Sequence, residues 1–95
     1  MGPLILHEDP RSGNCYKIRL TAAHLGLAIE RRSYDIMQGE TRTPEFVAMV
    51  NANGRIPVLQ AGDRFLPESN AACFYLADGS PLVPAGRFER ADMLR

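Results

Sequence analysis

The spacing of Ser12 and Cys15 raises the first question about chemistry. The two residues lie three positions apart in the run Ser-Gly-Asn-Cys, where an apolar stretch gives way to a helix-like pattern. Two thiols at this spacing would indicate a disulfide redox site, but only Cys15 carries sulfur. The local pattern predicts that Ser12 is the N-cap of a helix and accepts a hydrogen bond from the backbone N–H of Asn14 or Cys15.

Neither cysteine stands in a pattern that indicates a metal site. Cys15 lies on the apolar stripe of the first predicted helix and Cys73 on that of a later one, so both are predicted to be small core residues. His7 and His24 do not complete a zinc spacing with them, and we expect no structural metal. His7 itself is expected to be a hydrogen-bonded structural histidine.

Two further short stretches could bind a ligand. Pro57 follows Ile56 at the start of a predicted strand, where it is either an ordinary edge proline or a cis-proline that turns the backbone outward. Glu68 and Ser69 stand where a helix is predicted to begin, and the N–H groups of a helix N-terminus can bind an anion. The alternative for this pair is a plain capped helix in which Glu68 interacts favourably with the helix dipole.

Length and charge limit the class of protein. The 95 residues suit one small domain with a single core of modest size. Eleven basic and eleven acidic residues balance, and the bases are dispersed, so we expect neither a nucleic acid nor a membrane as partner. No apolar run reaches the length of a membrane helix and the N-terminus has no leader pattern, which predicts a cytoplasmic protein.

Hydrophobic periodicity and turn signals predict the elements that would position these residues. In chain order they are a buried strand at residues 4–6, a helix from about residue 12 to 25, an edge strand within residues 28–35, a short helix after Thr43-Pro44, a hairpin of residues 56–59 and 64–66, a helix from about residue 69 to 78, and a marginal helix over residues 87–95. This order indicates an α/β fold with a small mixed sheet.

The element order and the segments SGNCYKIRL, NGRIPVL and ESNAACFYLAD together resemble the N-terminal domain of cytosolic glutathione transferases, especially bacterial members with serine at the active position. The resemblance covers almost all of residues 4–79. It implies a thioredoxin-like fold, βαβ-α-ββα with a four-stranded mixed sheet, for residues 1–79. Residues 80–95 would be the linker and the start of a truncated helical second domain, the rest of which is missing from this sequence.

The resemblance also implies a function. The protein would be a glutathione S-transferase that activates the glutathione thiol for attack on an electrophilic, hydrophobic substrate, as in detoxification. Ser12 would donate a hydrogen bond to the thiolate, and Asn14 would be a secondary catalytic residue. Glutathione would be the co-substrate, no metal would be required, and the full-length enzyme would be a homodimer.

The same resemblance implies how glutathione would be held. Pro57 would be cis, so that the N–H and C=O of Ile56 could pair with the cysteinyl backbone. Glu68 would accept a hydrogen bond from the γ-glutamyl ammonium, and Ser69 would donate to the adjoining carboxylate. Arg55 either reaches the glycyl carboxylate or stays a solvated surface residue.

Two alternatives from other classes stay open. The first keeps the fold and drops catalysis, giving a transferase-like module for protein interaction or regulation. The second is glutathione-dependent thiol–disulfide exchange through Cys15, which stands where the second cysteine of a glutaredoxin-like pair would stand.

Overall fold

The computed structural model describes residues 3–94. The elements in chain order are β1 (Leu4–Glu8), α1 (Gly13–Leu25), β2 (Glu30–Ser33), a 3-10 segment (Ile36–Gln38), α2 (Pro44–Met49), β3 (Val58–Ala61), β4 (Arg64–Pro67), α3 (Ser69–Ala77) and α4 (Arg87–Met93). The four strands form one mixed sheet in the order β2-β1-β3-β4, in which β1 is parallel to β2 and antiparallel to β3. The four-stranded mixed sheet flanked by helices predicted from the sequence is therefore confirmed.

The main core lies between the sheet and the helix pair α1 and α3. All five residues of β1 are buried. This agrees with the prediction that the apolar residues 4–6 belong to a strand covered on both faces of the sheet. The core cluster on this side consists of Leu4, Leu6, Ile18, Ala22, Leu59, Ala72 and Leu76. Side chains alternate along a strand, so β1 contributes buried residues to both faces of the sheet. β1 is an interior strand, and its C-terminal end lies beside the start of α1.

The opposite face of the sheet carries a smaller aromatic cluster. The His7 ring lies 5.8 Å from that of Tyr34 and 5.9 Å from that of Phe65, measured between centroids. Phe46 of α2 meets Tyr34 edge to face at 4.9 Å. This cluster packs α2 against the sheet.

Local capping signals determine where the first two helices begin. Ser12 is the N-cap of α1 and its Oγ accepts from the backbone N–H of Cys15 at 3.4 Å, as the sequence predicts. Thr43 caps α2 in the same way, accepting from Phe46 N at 3.2 Å, and Pro44 occupies the first helical turn.

Three details differ from the sequence-based expectations. The second strand spans only Glu30–Ser33, because one neighbour alone, β1, pairs with it at the sheet edge. The 3-10 segment was not predicted; it begins where the Asp35 carboxylate accepts from Met37 N at 3.0 Å. β3 begins at Val58, after the Ile56–Pro57 bond. The helix predicted over residues 87–95 is present and ends at Met93, and residue 95 lies outside the described residues.

Candidate functional site

A polar cavity of about 480 Å³ opens where the N-termini of α1 and α3 approach the loop before β3. This volume falls within the range of about 300–1,000 Å³ that is typical of small-molecule sites. Its lining residues are Asn14, Asn51, Asn53, Arg55, Ile56, Pro57, Pro67, Glu68 and Ser69. The structure thus brings together six of the seven residues predicted to act in the site.

Ser12 is the seventh predicted residue, and it does not line this cavity within residues 3–94. It is half-buried at the N-cap of α1, two positions before Asn14, which does line the cavity. The Ser12 oxygen accepts from Cys15 N at 3.4 Å, and the same hydroxyl lies close enough to the Cys15 thiol to lower the pKa of that thiol. The first turn of α1 therefore meets the cavity through Asn14.

The Ile56–Pro57 peptide bond is cis, as the resemblance implied. Within residues 3–94, neither the N–H nor the C=O of Ile56 has a hydrogen-bond partner. An extended ligand could pair with these two groups in the manner of an added strand.

The Asn51 side chain orders the loop that leads to Ile56. Its Nδ2 donates to the Arg55 carbonyl at 3.1 Å, and its Oδ1 accepts from Asn53 N at 3.1 Å. The Asn51 carbonyl also accepts from Gly54 N at 2.9 Å. No role in the site was predicted for Asn51 from the sequence, although asparagine side chains that bond nearby backbone are a known turn signal.

Glu68 and Ser69 meet the cavity at the N-terminus of α3. Glu68 occupies the N-cap position with φ of +77° and makes no side-chain capping hydrogen bond. Within the described residues the first turn of α3 thus presents uncapped backbone N–H groups beside the Ser69 hydroxyl. An anionic group is favoured there by these donors and by the helix dipole.

The cavity carries one cation and one anion. Arg55 and Glu68 are both exposed, at the loop before β3 and at the start of α3. A ligand with a carboxylate at one end and an ammonium at the other would meet an opposite charge at each.

A second cavity of about 300 Å³ shares Arg55 and Ile56 with the first. Its other walls come from the 3-10 segment, through Ile36 and Met37, and from Arg42 in the following loop. Arg42 and Arg55 therefore both line this second cavity, and Arg55 also lines the first.

Cys15 is placed for packing and not for exchange. Its side chain is fully buried, and burial raises the pKa of its thiol more than the nearby Ser12 hydroxyl lowers it. A neutral, enclosed thiol is a poor nucleophile. The prediction that Cys15 is a core residue agrees with this geometry.

His7 is held by two side-chain hydrogen bonds, which agrees with a structural role. Gln60 donates its Nε2 to the Gly62 carbonyl at 2.9 Å, so its Oε1 accepts from His7 Nε2 at 2.8 Å. His7 Nδ1 then accepts from the Tyr34 hydroxyl at 2.7 Å. Burial lowers the pKa of His7 below its ordinary value and raises that of Tyr34, so both groups are neutral in this network.

The described part of the chain offers neither a cluster of metal-ligating side chains nor a membrane-spanning helix. Among residues 3–94, no group of three or more His, Cys, Asp or Glu side chains is arranged to hold a metal ion. No helix in the same range has both the length and the apolar character needed to span a bilayer.

Comparison with known proteins places this geometry in a family. The family model described as "Glutathione S-transferase, N-terminal domain" matches residues 2–78. Glutathione S-transferase 3 of Zea mays is 36% identical over 90 residues, which cover 90% of this chain and 40% of the relative. The chain therefore spans about two fifths of the length of that curated relative.

Solved structures show the same partial coverage. A possible glutathione S-transferase from Rhodopseudomonas palustris superposes with a TM-score of 0.88 and 44% identity, over 93% of this chain and 43% of that one. A glutathione transferase homologue from Sulfitobacter, solved with bound glutathione, superposes with a TM-score of 0.84 and 26% identity, over 96% of this chain and 45% of that one. The fold is therefore thioredoxin-like, and the chain belongs to the family of glutathione S-transferase N-terminal domains.

Proposed function

We propose that the polar cavity binds glutathione and that the protein is a glutathione S-transferase using this tripeptide as co-substrate. One observation carries the proposal: the unpaired backbone of Ile56 and the uncapped N-terminus of α3 line the same cavity. An extended peptide that ends in a carboxylate and an ammonium satisfies both features at once. The bound glutathione of the Sulfitobacter homologue supports the same ligand class.

Each part of glutathione has a complementary group in the cavity. The γ-glutamyl carboxylate would accept from Ser69 and the first-turn N–H groups of α3, and the Glu68 carboxylate would accept from the γ-glutamyl ammonium. The cysteinyl backbone would pair with Ile56. The glycyl carboxylate would lie toward Arg55, at the end that this cavity shares with its neighbour.

The thiol would then lie near the N-terminus of α1. Ser12 would donate its hydroxyl proton to the sulfur, and Asn14 would present its amide from the first turn. Lowering a thiol pKa from about 8.5 to about 6.5 requires roughly 2.7 kcal/mol. A charge-assisted hydrogen bond supplies roughly 1.5–3 kcal/mol and the helix terminus roughly 0.3–1 kcal/mol more, and the combined range of roughly 1.8–4 kcal/mol includes the free energy required.

Calorimetric titration with a set of three ligands tests the binding mode. Glutathione should bind more tightly than cysteinylglycine, which lacks the γ-glutamyl group that the α3 N-terminus would hold. γ-Glutamylcysteine, which lacks glycine, should lose less affinity because Arg55 is exposed to solvent. Equal affinity for glutathione and cysteinylglycine, or no heat with any of the three, would contradict the proposal.

Amide shifts in an NMR titration locate the ligand in the same experiment. Perturbations at Ile56, Ser69 and Asn14 are expected, because these residues line the cavity. Without them the chain is better described by the alternative of a non-catalytic interaction module. Thiol–disulfide exchange through Cys15 is the less favoured alternative, since that thiol is enclosed in the core.

The wider biology is part of the same proposal. Residues 80–95 would be the linker and the first helix of a second, helical domain, and the relatives of more than twice this length support that division. With that domain the protein would be a cytoplasmic homodimer that conjugates hydrophobic electrophiles in detoxification. Exposed apolar side chains on α4, such as Phe88 at 77% exposure, are consistent with a face that another domain covers.

A further inference from the structure

A cluster of three charged side chains lies beside the proposed site without lining its cavity. Asp9 and Arg11 belong to the turn between β1 and α1, and Asp35 follows β2. The Arg11 guanidinium bridges the two carboxylates, with Nη2 2.7 Å from Asp9 Oδ2 and 2.7 Å from Asp35 Oδ1. We refer to these three residues as the arginine clamp.

Asp9 holds the turn that contains Ser12 from the inside. Its side chain is almost fully buried, and its Oδ1 accepts from both the backbone N–H and the Nε of Arg11 at 3.0 Å. The Asp9 carbonyl accepts from Ser12 N at 2.9 Å. The hydrogen bonds of Arg11 hold the pKa of this carboxyl far below its usual range, so Asp9 is ionised at neutral pH.

The clamp also ties this turn to the 3-10 segment. Asp9 Oδ2 accepts from Ile36 N at 3.3 Å, and Asp35 Oδ1 accepts from Met37 N at 3.0 Å. Ile36 and Met37 line the second cavity together with Arg55 and Ile56. One guanidinium therefore connects the backbone beside Ser12 with a wall of the second cavity, which adjoins the proposed glutathione site at Arg55 and Ile56.

We propose that Arg11, with Asp9 and Asp35, is a positioning device that sets the Ser12 hydroxyl relative to the glutathione sulfur. This inference rests on the proposed function. Among residues 3–94, Arg11 is not part of the cavity lining, and it would act through the turn of residues 9–12. Because hydrogen-bond strength falls steeply with misalignment, a small displacement of Ser12 weakens its bond to a thiolate.

The test compares Arg11→Met with Arg11→Lys and with the control Arg64→Met. Arg64 is exposed on β4, the edge strand at the opposite end of the sheet, and lies outside the polar cavity. The readout is the pKa of the glutathione thiol bound to each variant, followed by thiolate absorbance against pH. Urea unfolding of each variant supplies the free energy of unfolding in parallel.

Arg11→Met should raise the pKa of the bound glutathione thiol by about 0.5 or more. A change of this size corresponds to about a threefold lower ratio of thiolate to thiol at a given pH. Arg11→Lys, which keeps the charge and loses the planar fork, should recover part of the shift. Arg64→Met should leave the thiol pKa at the wild-type value. Since the Arg11 side chain is 60% exposed, the variants are expected to fold. If Arg11→Met proves unstable, Asp35→Asn gives the same comparison by weakening one arm of the bridge.

Two results overturn the inference. One is a reduced free energy of unfolding in Arg11→Met with an unchanged thiol pKa, which means that the clamp is merely structural. The other is an equal shift in Arg64→Met. Failure of the proposed function looks different: wild-type protein would then bind no glutathione, or would leave its thiol pKa at the solution value.

Discussion

Gly54 lies directly against the backbone of Thr41. A Cβ added to Gly54 would stand 3.1 Å from the Thr41 carbonyl oxygen, and Gly54 has a φ of +65°. The contact joins the loop that follows the 3-10 segment to the loop that carries Arg55 and Ile56. Only glycine meets both requirements at this point without a shift of backbone.

Replacing Gly54 with alanine should therefore lower both stability and glutathione affinity. The matched control is Gly62→Ala, because Gly62 has nearly the same φ, +64°, with open space around the added Cβ. Both variants should lose about 1–2 kcal/mol from the left-handed backbone. Gly54→Ala should lose more, and it alone should weaken glutathione binding in calorimetry. Equal stability and equal glutathione affinity in the two variants would show that the contact with Thr41 does not position the loop that carries Arg55 and Ile56.

The sequence predicted those parts of the site that depend on neighbouring residues. Ser12 and Ser69 each stand at a helix start, where a short local pattern indicates the backbone. At Pro57 the local pattern left the isomer open, and the cis bond was implied by the family resemblance. The approach of the α1 start, Pro57 and Ser69 to one another follows from the element order, which the sequence also predicted. The cavity that unites Asn14, Pro57 and Ser69 agrees with that order.

The parts that the sequence did not reveal depend on distant partners or on backbone dihedrals. The arginine clamp joins Arg11 to Asp35 across 24 positions, and no local pattern marks such a pair. The positive φ of Glu68 is unexpected because non-glycine residues rarely adopt it. The 3-10 segment is too short to produce a hydrophobic period.

The His7 network predicts how stability depends on pH. Burial lowers the pKa of folded His7 below its ordinary value of 6.5, Arg32 lowers it further, and Gln60 and Glu30 oppose the shift. The unfolded chain therefore binds the proton more tightly, so this contribution to stability is present above pH 6.5 and is lost as the pH falls below it. Urea unfolding from about pH 8 to about pH 5 should show this decline.

Two histidine variants identify the source of that decline. His7→Gln should flatten the pH profile, whatever its effect on absolute stability, because it removes the titrating ring. His24→Gln should retain the wild-type slope, since His24 is exposed on α1. A wild-type slope in His7→Gln would assign the effect to another group.

Two substitutions of Glu68 should separate the effect of backbone strain on stability from the effect of the carboxylate on glutathione binding. Its φ of +77° costs a residue with a Cβ roughly 1–2 kcal/mol, which glycine avoids in part. Glu68→Gly should therefore be more stable than Glu68→Gln by about 0.5–1 kcal/mol after the entropy of glycine is counted. Both variants should bind glutathione about tenfold more weakly, because both lose the carboxylate that would face the ammonium. Wild-type affinity in Glu68→Gln would remove the carboxylate from the proposed binding mode.

Ser12 should have two separable effects, one on the helix and one on the ligand. Ser12→Ala removes the N-cap of α1, and Thr43→Ala removes the equivalent cap of α2, so each should lower the free energy of unfolding by about 0.5–1 kcal/mol. Only Ser12→Ala should raise the thiol pKa of bound glutathione toward about 8.5, as measured by thiolate absorbance. Ser12→Thr, which keeps the hydroxyl, should stay near wild type. A hydroxyl that stabilises the sulfur anion cannot be removed without changing the pKa of the glutathione thiol. If Ser12→Ala and Thr43→Ala lower stability alike and both leave that pKa unchanged, Ser12 is therefore a helix cap and nothing more.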